Sequence, residues 1–327
     1  MGEFELIERY FRAAAQGLAD QRGDVALGIG DDAALLDMPA DRQLVAALDT
    51  LVEGRHFPVG CAPSSIGHRA LAVNLSDLAA MGADPAWCLL ALTMPRAQPA
   101  FLQPFSEGLL ALAHRHGVAL VGGDTTGGPL AVSVQALGFV PRGAALRRDG
   151  GEAGDLLYVS GTPGDAAAGL ALLQQGAADS PDAQQAYLLQ RFLYPEPRIE
   201  LGRALRGLAS ACIDVSDGLA ADAARLAVAS GCGAVLDAGQ LPLSSALLDA
   251  VGAEQAPLRA LGGGDDYELC FTIAPARRAE LQARMTNVKC RVTCIGLLEK
   301  QSGLRVTRNG VPIDCDTRGY DHFRTTG

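Results

Sequence analysis

Acidic residues stand where an apolar chain tolerates them least. Asp31-Asp32 follow Val25-Ala-Leu-Gly-Ile-Gly30, Asp49 closes the apolar run 44–48, and Asp124 closes Val118-Ala-Leu-Val-Gly-Gly123. Asp214 ends Ala211-Cys-Ile213, and Asp265-Asp266 follow three glycines. Asp77 lies inside Ala70-Leu-Ala-Val-Asn-Leu-Ser76 and Leu78-Ala-Ala-Met81. A carboxylate at the mouth of a buried strand, or within an apolar helix, is costly unless it is hydrogen-bonded, paired or bound to metal. One such residue reads as a turn cap. Repetition along one chain points instead to an oxygen-rich site, and such sites suit Mg²⁺, which takes carboxylates, waters and substrate phosphates. The five histidines are scattered and the eight cysteines form no CxxC pair, so no softer metal competes. The cysteines read as reduced core residues, and His114-x-His116 as a dipole-matched helix end.

The rest of the composition narrows the class. With 327 residues, 49% hydrophobic and 20% charged, the chain has material for about two domains with real cores. A net charge of −10 repels nucleic-acid backbones and anionic membranes, and 5% aromatics are too few for a base-stacking platform. The start, Met1-Gly-Glu-Phe-Glu, lacks the basic and apolar regions of a secretory signal. No apolar stretch approaches the length of a membrane span. The expectation is a cytoplasmic protein with no membrane or nucleic-acid partner.

Periodicity predicts helices over 4–18, 66–81 and 100–116, and strands over 44–48, 87–94, 118–121 and 130–140. The polar, Gly-rich stretch 147–155 marks a boundary near 145–152. Beyond it, strands are expected at 156–160, 233–236, 268–273 and 292–298, and helices at 164–175, 183–193, 197–209 and 217–230. Both halves mix strands and helices, so the class is α/β or α+β, and the lack of strict βαβ alternation favours α+β sandwiches over a doubly wound sheet. The expected division is 1–147, an N-terminal domain, and 148–327, a C-terminal one.

Glycine supplies the complement to the carboxylates. Gly122-Gly123-Asp124-Thr125-Thr126-Gly127-Gly128 reads as a loop that brings backbone N–H groups close to phosphate oxygens. It is not a Walker A loop, and neither the protein-kinase motifs nor a Rossmann glycine fingerprint occurs. Ser216 reads as an N-cap, with Asp214 and Asp217 beside it left unexplained by capping alone. Arg147-Arg148 offers either a phosphate partner or a solvated linker.

In order, several segments resemble the thiamine-monophosphate kinase family. They are Gly28-Ile-Gly-Asp-Asp-Ala33, Asp49-Thr-Leu-Val52 with His56-Phe57, and Ala72-Val-Asn-Leu-Ser-Asp-Leu-Ala-Ala-Met-Gly-Ala-Asp-Pro85. Gly122-Gly-Asp-Thr-Thr126, Gly161-Thr-Pro-Gly-Asp165, Ile213-Asp-Val-Ser-Asp-Gly-Leu219, Gly263-Gly-Asp-Asp-Tyr-Glu-Leu-Cys270 and Gly319-Tyr-Asp-His-Phe323 complete the set. The superfamily includes aminoimidazole ribonucleotide synthetase and selenophosphate synthetase. The resemblance implies an N-terminal α/β domain that binds ATP and Mg²⁺ and forms a homodimer through its strands, followed by a C-terminal α/β sandwich. It implies ATP-dependent phosphorylation of thiamine monophosphate to thiamine diphosphate by direct in-line transfer, with several Mg²⁺ ions and no protein nucleophile.

By position, the resemblance makes Asp32, Asp49, Asp77, Asp124, Asp214 and Asp217 metal ligands. Gly123, Asp124, Arg148 and Ser216 fall at ATP contacts, and His56 and Asp265 at substrate contacts. Three positions depart from the family's pattern. Ala47-Leu48 stand where hydroxyl residues are frequent, and Asp265 stands where the family has Glu. Thr317 replaces an aromatic that can stack on thiamine, leaving Tyr320 as the nearest candidate. The alternatives are another ATP-using synthetase of the superfamily, or a non-catalytic metal- or nucleotide-binding regulator.

Overall fold

The computed structural model describes residues 3–176, 180–315 and 319. Its contacts divide into two compact units. One runs to Leu78 and resumes over Ala83–Gly143; the other takes Ala79–Gly82 and the chain from Ala144 onward.

The first unit opens with α1 (Glu3–Leu6), a π-helical stretch over Ile7–Arg12, and α2 (Ala13–Gln21). Then come β1 (Val25–Leu27), β2 (Leu35–Leu36), β3 (Arg42–Val52), α3 (Pro63–Ala80), β4 (Asp84–Met94), α4 (Pro99–His116), β5 (Ala119–Gly127) and β6 (Ala131–Pro141). A four-stranded sheet has the order β3-β6-β4-β5, antiparallel except for the parallel pair β4/β5. That parallel pair needs a crossover, which α4 supplies. Proline at its first position starts α4, and Gly117, left-handed at φ 67°, ends it after His114, Arg115 and His116. The expected strand 44–48 is longer, because β6 offers a continuous ladder from Arg42↔Pro141 to Val52↔Ala131. One face of the sheet is closed by Trp87, edge-on to Phe139 at 4.9 Å, with Ala119, Val121 and Leu137.

The second unit contains β7 (Leu156–Ser160), α5 (Asp165–Gln174), α6 (Ala183–Leu193), α7 (Ile199–Leu205), β8 (Ala211–Val215), α8 (Leu219–Ala229) and β9 (Gly233–Asp237). It continues with α9 (Ser245–Gly262), β10 (Glu268–Ile273), α10 (Arg278–Met285), β11 (Val292–Glu299), β12 (Leu304–Arg308) and β13 (Val311–Pro312). Its sheet runs β13-β12-β9-β11-β7-β10-β8, antiparallel except for β9/β12. Every residue of β10 is buried, as a strand covered on both faces requires. Asp182 caps α6 through a reciprocal pair with Gln185. Helix α9 escapes the periodicity because Gly252, at φ 78° and ψ 159°, kinks it and Pro257 interrupts it further. Among the described residues no helix is long and apolar enough to cross a membrane.

Candidate active site

In the first unit the expected glycine loop is not a loop. Gly122 to Gly127 belong to β5, paired in register with β4 from Leu89↔Gly122 to Met94↔Gly127 after an irregularity at Cys88/Leu89. Glycine is required there for closeness rather than for a turn. A Cβ on Gly123 would sit 1.9 Å from the Leu90 carbonyl oxygen. The two glycines therefore let β5 lie against β4 and carry Asp124 to the sheet surface.

Asp124 pairs with Ala91, Ala91 with Ser133, and Ser133 with Thr50, so these four form one row across the sheet on one face. The Thr50 and Ser133 hydroxyls are 2.7 Å apart. This face borders an open groove of about 1250 Å³, lined among others by Arg12, Asp31, Asp32, Leu48, Gly123 and Asp124. The Asp32 N–H donates to Asp31 Oδ1 at 2.8 Å, fixing the turn that presents both carboxylates.

Asp49 and Asp77 do not line this groove. Leu48 does, and the pleat turns the next residue to the opposite face. There the Asp49 N–H donates to Asn74 Oδ1 at 3.0 Å, and Asn74 donates in turn to the Ala70 carbonyl. Asp77 stands three residues after Asn74 on α3, on the same side of the helix. Ala47 shares the face of Asp49, while Leu48 is 64% exposed on the other. His56 sits in the turn after β3, and its Nδ1 accepts the Val52 N–H at 2.9 Å. A neutral imidazole held this way carries its proton on Nε2.

The second unit presents a separate carboxylate group. Asp214 is buried near the end of β8. Ser216 is not an N-cap: α8 begins after Gly218, with no side-chain cap. Instead the N–H groups of Ser216 and Asp217 both donate to Asp222 Oδ2 at 3.1 Å, from the first turn of α8. Arg225 bridges Asp217 at 2.6 Å and Asp222 at 2.5 Å. Burial pushes the Asp222 carboxyl up in spite of that cation. Arg148 is exposed, its carbonyl accepting from Ser230 Oγ at 2.9 Å, and the neighbouring Arg147 is paired with Asp149.

The turn before β10 lies directly on this segment. Asp265 N–H donates to the Ser216 carbonyl and Tyr267 N–H to the Val215 carbonyl, each at 2.8 Å. Asp265 and Tyr267 both have positive φ, at 68° and 51°. For residues with a Cβ this conformation costs about 1–2 kcal/mol each, and its clustering marks a constrained place. Between them, Asp266 is buried and accepts N–H groups of Gly164 and Ala166 at 2.7 and 3.3 Å, at the start of α5. Burial drives its carboxyl well above the usual range. Thr317 and Tyr320 lie outside the described residues; Gly319, between them, packs against Asp217 and Ala221.

Sequence reasoning missed Glu268 and its two arginines. Glu268 opens β10 with no exposed surface, bound by Arg191, Arg198 and the Ser160 hydroxyl. A carboxylate at the head of a buried strand was a readable signal, like the aspartates. Its partners, 77 and 70 residues away in sequence, were not.

Among the described residues no three His, Cys, Asp or Glu side chains are gathered tightly enough to hold a metal by themselves. The donors at the groove are nevertheless all oxygen. Mg²⁺ is bound through one or two carboxylates completed by phosphates and water, and carboxylates of that kind, Asp32 and Asp124 among them, line the groove.

Residues 30–140 match the family described as AIR synthase related protein, N-terminal domain, and residues 152–309 match its C-terminal domain. The chain is 50% identical over 327 residues to the thiamine-monophosphate kinase of Escherichia coli K12, covering 99% of each. It belongs to the thiamine-monophosphate kinase family. The fold agrees. The crystal structure of the kinase from Stenotrophomonas maltophilia K279a superposes with a TM-score of 0.88 at 48% identity, covering 96% of this chain and 98% of that one. AaThiL complexed with AMPPCP and TMP has a TM-score of 0.78 at 31% identity, covering 98% of this chain and 97% of that one. These relatives are matched along nearly the whole of this chain, through both of its halves.

Proposed function

We propose that this protein transfers the γ-phosphoryl group of ATP to thiamine monophosphate, yielding thiamine diphosphate and ADP. The observation that carries the reading is the likeness, over nearly the whole chain, to a solved relative complexed with AMPPCP and TMP. A phosphate oxygen of thiamine monophosphate attacks the γ-phosphorus in line, the bond to the ADP oxygen breaks, and ADP leaves. The attacking oxygen is already ionised, so no protein nucleophile or strong base is required. The remaining task is to bring two polyanions together in line, which is positioning and electrostatics.

Bound Mg²⁺ would supply charge neutralisation between the phosphates and the acidic protein. In the groove, Asp32 and Asp124 are its proposed holders, with the backbone at Gly123 against the nucleotide phosphates. Asp49 and Asp77 beside α3, and Asp214 and Asp217 in the second unit, are proposed for further ions. Ser216 and Arg148 are assigned to ATP, and His56 and Asp265 to the acceptor. Thiamine carries a cationic thiazolium and an aminopyrimidine, to which a carboxylate such as Asp265 is complementary.

The working form is proposed to be a cytoplasmic homodimer built on β3. This strand is an edge of its sheet, eleven residues long, with Leu44 and Leu48 exposed at 47% and 64%. Long apolar edges of this kind are templates for pairing with another strand. Coupled measurement of ADP release tests the activity: turnover is expected with thiamine monophosphate and Mg²⁺. No turnover with that acceptor, alongside turnover with another phosphate acceptor, would instead mark a sibling synthetase. A stable phosphoprotein formed from labelled ATP alone would refute direct transfer.

A further inference from the structure

The Tyr267 hydroxyl donates to Asp265 Oδ1 at 3.3 Å, from a ring that is itself buried. We propose that Tyr267 is a positioning residue for the acceptor, holding the Asp265 carboxylate in one orientation; this rests on the assignment of Asp265 to the thiamine moiety.

Four features converge on the same pair. Asp265 and Tyr267 both take left-handed backbone conformations, and the residue between them is buried against the start of α5. The backbone on either side of Asp266 is tied to β8 and the residue after it, through Val215 and Ser216. Gly264 allows that contact, because a Cβ there would lie 2.6 Å from the Ser216 carbonyl oxygen. These bonds fix the backbone of the turn, and Asp265 departs from it on a single methylene. A short side chain has few rotamers, so the backbone limits its direction, and the Tyr267 hydroxyl binds one of its two oxygens.

The same backbone bonds join the acceptor residue to the segment bearing Ser216 and Asp217. Loss of the hydroxyl should therefore loosen the carboxylate without moving the nucleotide side, since the N–H bonds to Val215 and Ser216 remain. A packing role for the ring predicts a different pattern, because phenylalanine keeps the ring.

The test is steady-state kinetics of Tyr267→Phe, Asp265→Asn and the double variant, with thermal unfolding of each. Tyr267→Phe is expected to raise KM for thiamine monophosphate roughly tenfold, the scale of a hydrogen bond to a charged group. Its kcat and its KM for ATP should stay within about twofold. Added to Asp265→Asn, it should have a clearly smaller effect than alone, since only a neutral amide oxygen is left to accept from the hydroxyl. An unchanged KM for the acceptor, equal changes in both KM values, or effects that multiply in the double variant would overturn the proposal. So would a lowered melting temperature with wild-type KM, which leaves the tyrosine only a packing role. Wild-type protein that releases no ADP with thiamine monophosphate would refute the kinase reading itself, and the role of Tyr267 with it.

Discussion

Arg198 grips Glu268 with two parallel hydrogen bonds, Nε to Oε2 at 2.7 Å and a terminal nitrogen to Oε1 at 2.5 Å. Arg191 adds a third at 2.6 Å, on a carboxylate with no exposed surface. A bidentate arginine fork is the geometry that best repays the desolvation of a buried carboxylate. The cluster ties the head of β10, and hence the turn bearing Asp265, to α6 and the segment before α7.

This cluster predicts a pH-dependent stability. Burial pushes the Glu268 carboxyl up, but the charge and hydrogen bonds of Arg198, with Arg191 and Ser160, bring it down to about 2 from an ordinary 4.5. A carboxyl depressed in the fold stabilises fully above its unfolded value. Its contribution, about 3 kcal/mol, is lost as pH falls from near 4.5 toward 2. Glu268→Gln should destabilise the protein by about 3–5 kcal/mol at neutral pH and flatten that part of the acid slope. Denaturant unfolding from pH 7 down to pH 3, with and without the substitution, measures both.

Gly123→Ala is expected to cost about 3 kcal/mol or more, because its methyl meets the Leu90 carbonyl and forces β4 and β5 apart. Activity should fall with stability, since Asp124 is the next residue. Chemical denaturation and ADP release on the same preparation check this, and Gly127→Ala is the control. A Cβ at Gly127 meets nothing within 4 Å, so its effect should be small.

Asp32→Ala and Asp124→Ala should each reduce turnover by about 100-fold or more while leaving the circular dichroism spectrum and melting temperature near wild type. Chelation of divalent cations should abolish turnover, and added Mg²⁺ should restore it. Near-normal rates for either variant would remove that residue from the proposed metal shell.

Leu48→Asp places a charge on the exposed face of the open edge strand β3. Sedimentation should show the proposed dimer shifted toward monomer in this variant. The monomer's unfolding transition should remain cooperative, because Leu48 lies outside the buried core.

Much of the fold was legible. The helix ending at Ala80, the strand ending at Met94 and the helix closed by Gly117 announce themselves by periodicity, proline and a left-handed glycine. Less legible was β5, whose glycines resemble a loop because their purpose, a close approach to Leu90, involves a strand about thirty residues earlier. Helix α9 was hidden by its own kink at Gly252. Ser216 looked like a cap because its hydroxyl precedes a helix. The backbone donors there are taken by Asp222, which competes successfully from within the helix.

The sequence by itself determined the class of the protein, most of its elements, its family and the presence of carboxylates at the ends of buried segments. These are local properties: periodicity, turn residues and the cost of a charge in an apolar run. Tertiary structure alone decided which carboxylates share a surface. Asp31, Asp32 and Asp124 reach one groove, whereas Asp49, one residue beyond Leu48, does not line it, and its backbone N–H is bound by Asn74 of α3. The pleat reverses a side chain at every step, and pairing register decides which strand supplies its neighbour. Glu268 makes the same point, since its arginines are distant in the chain and adjacent only in the fold.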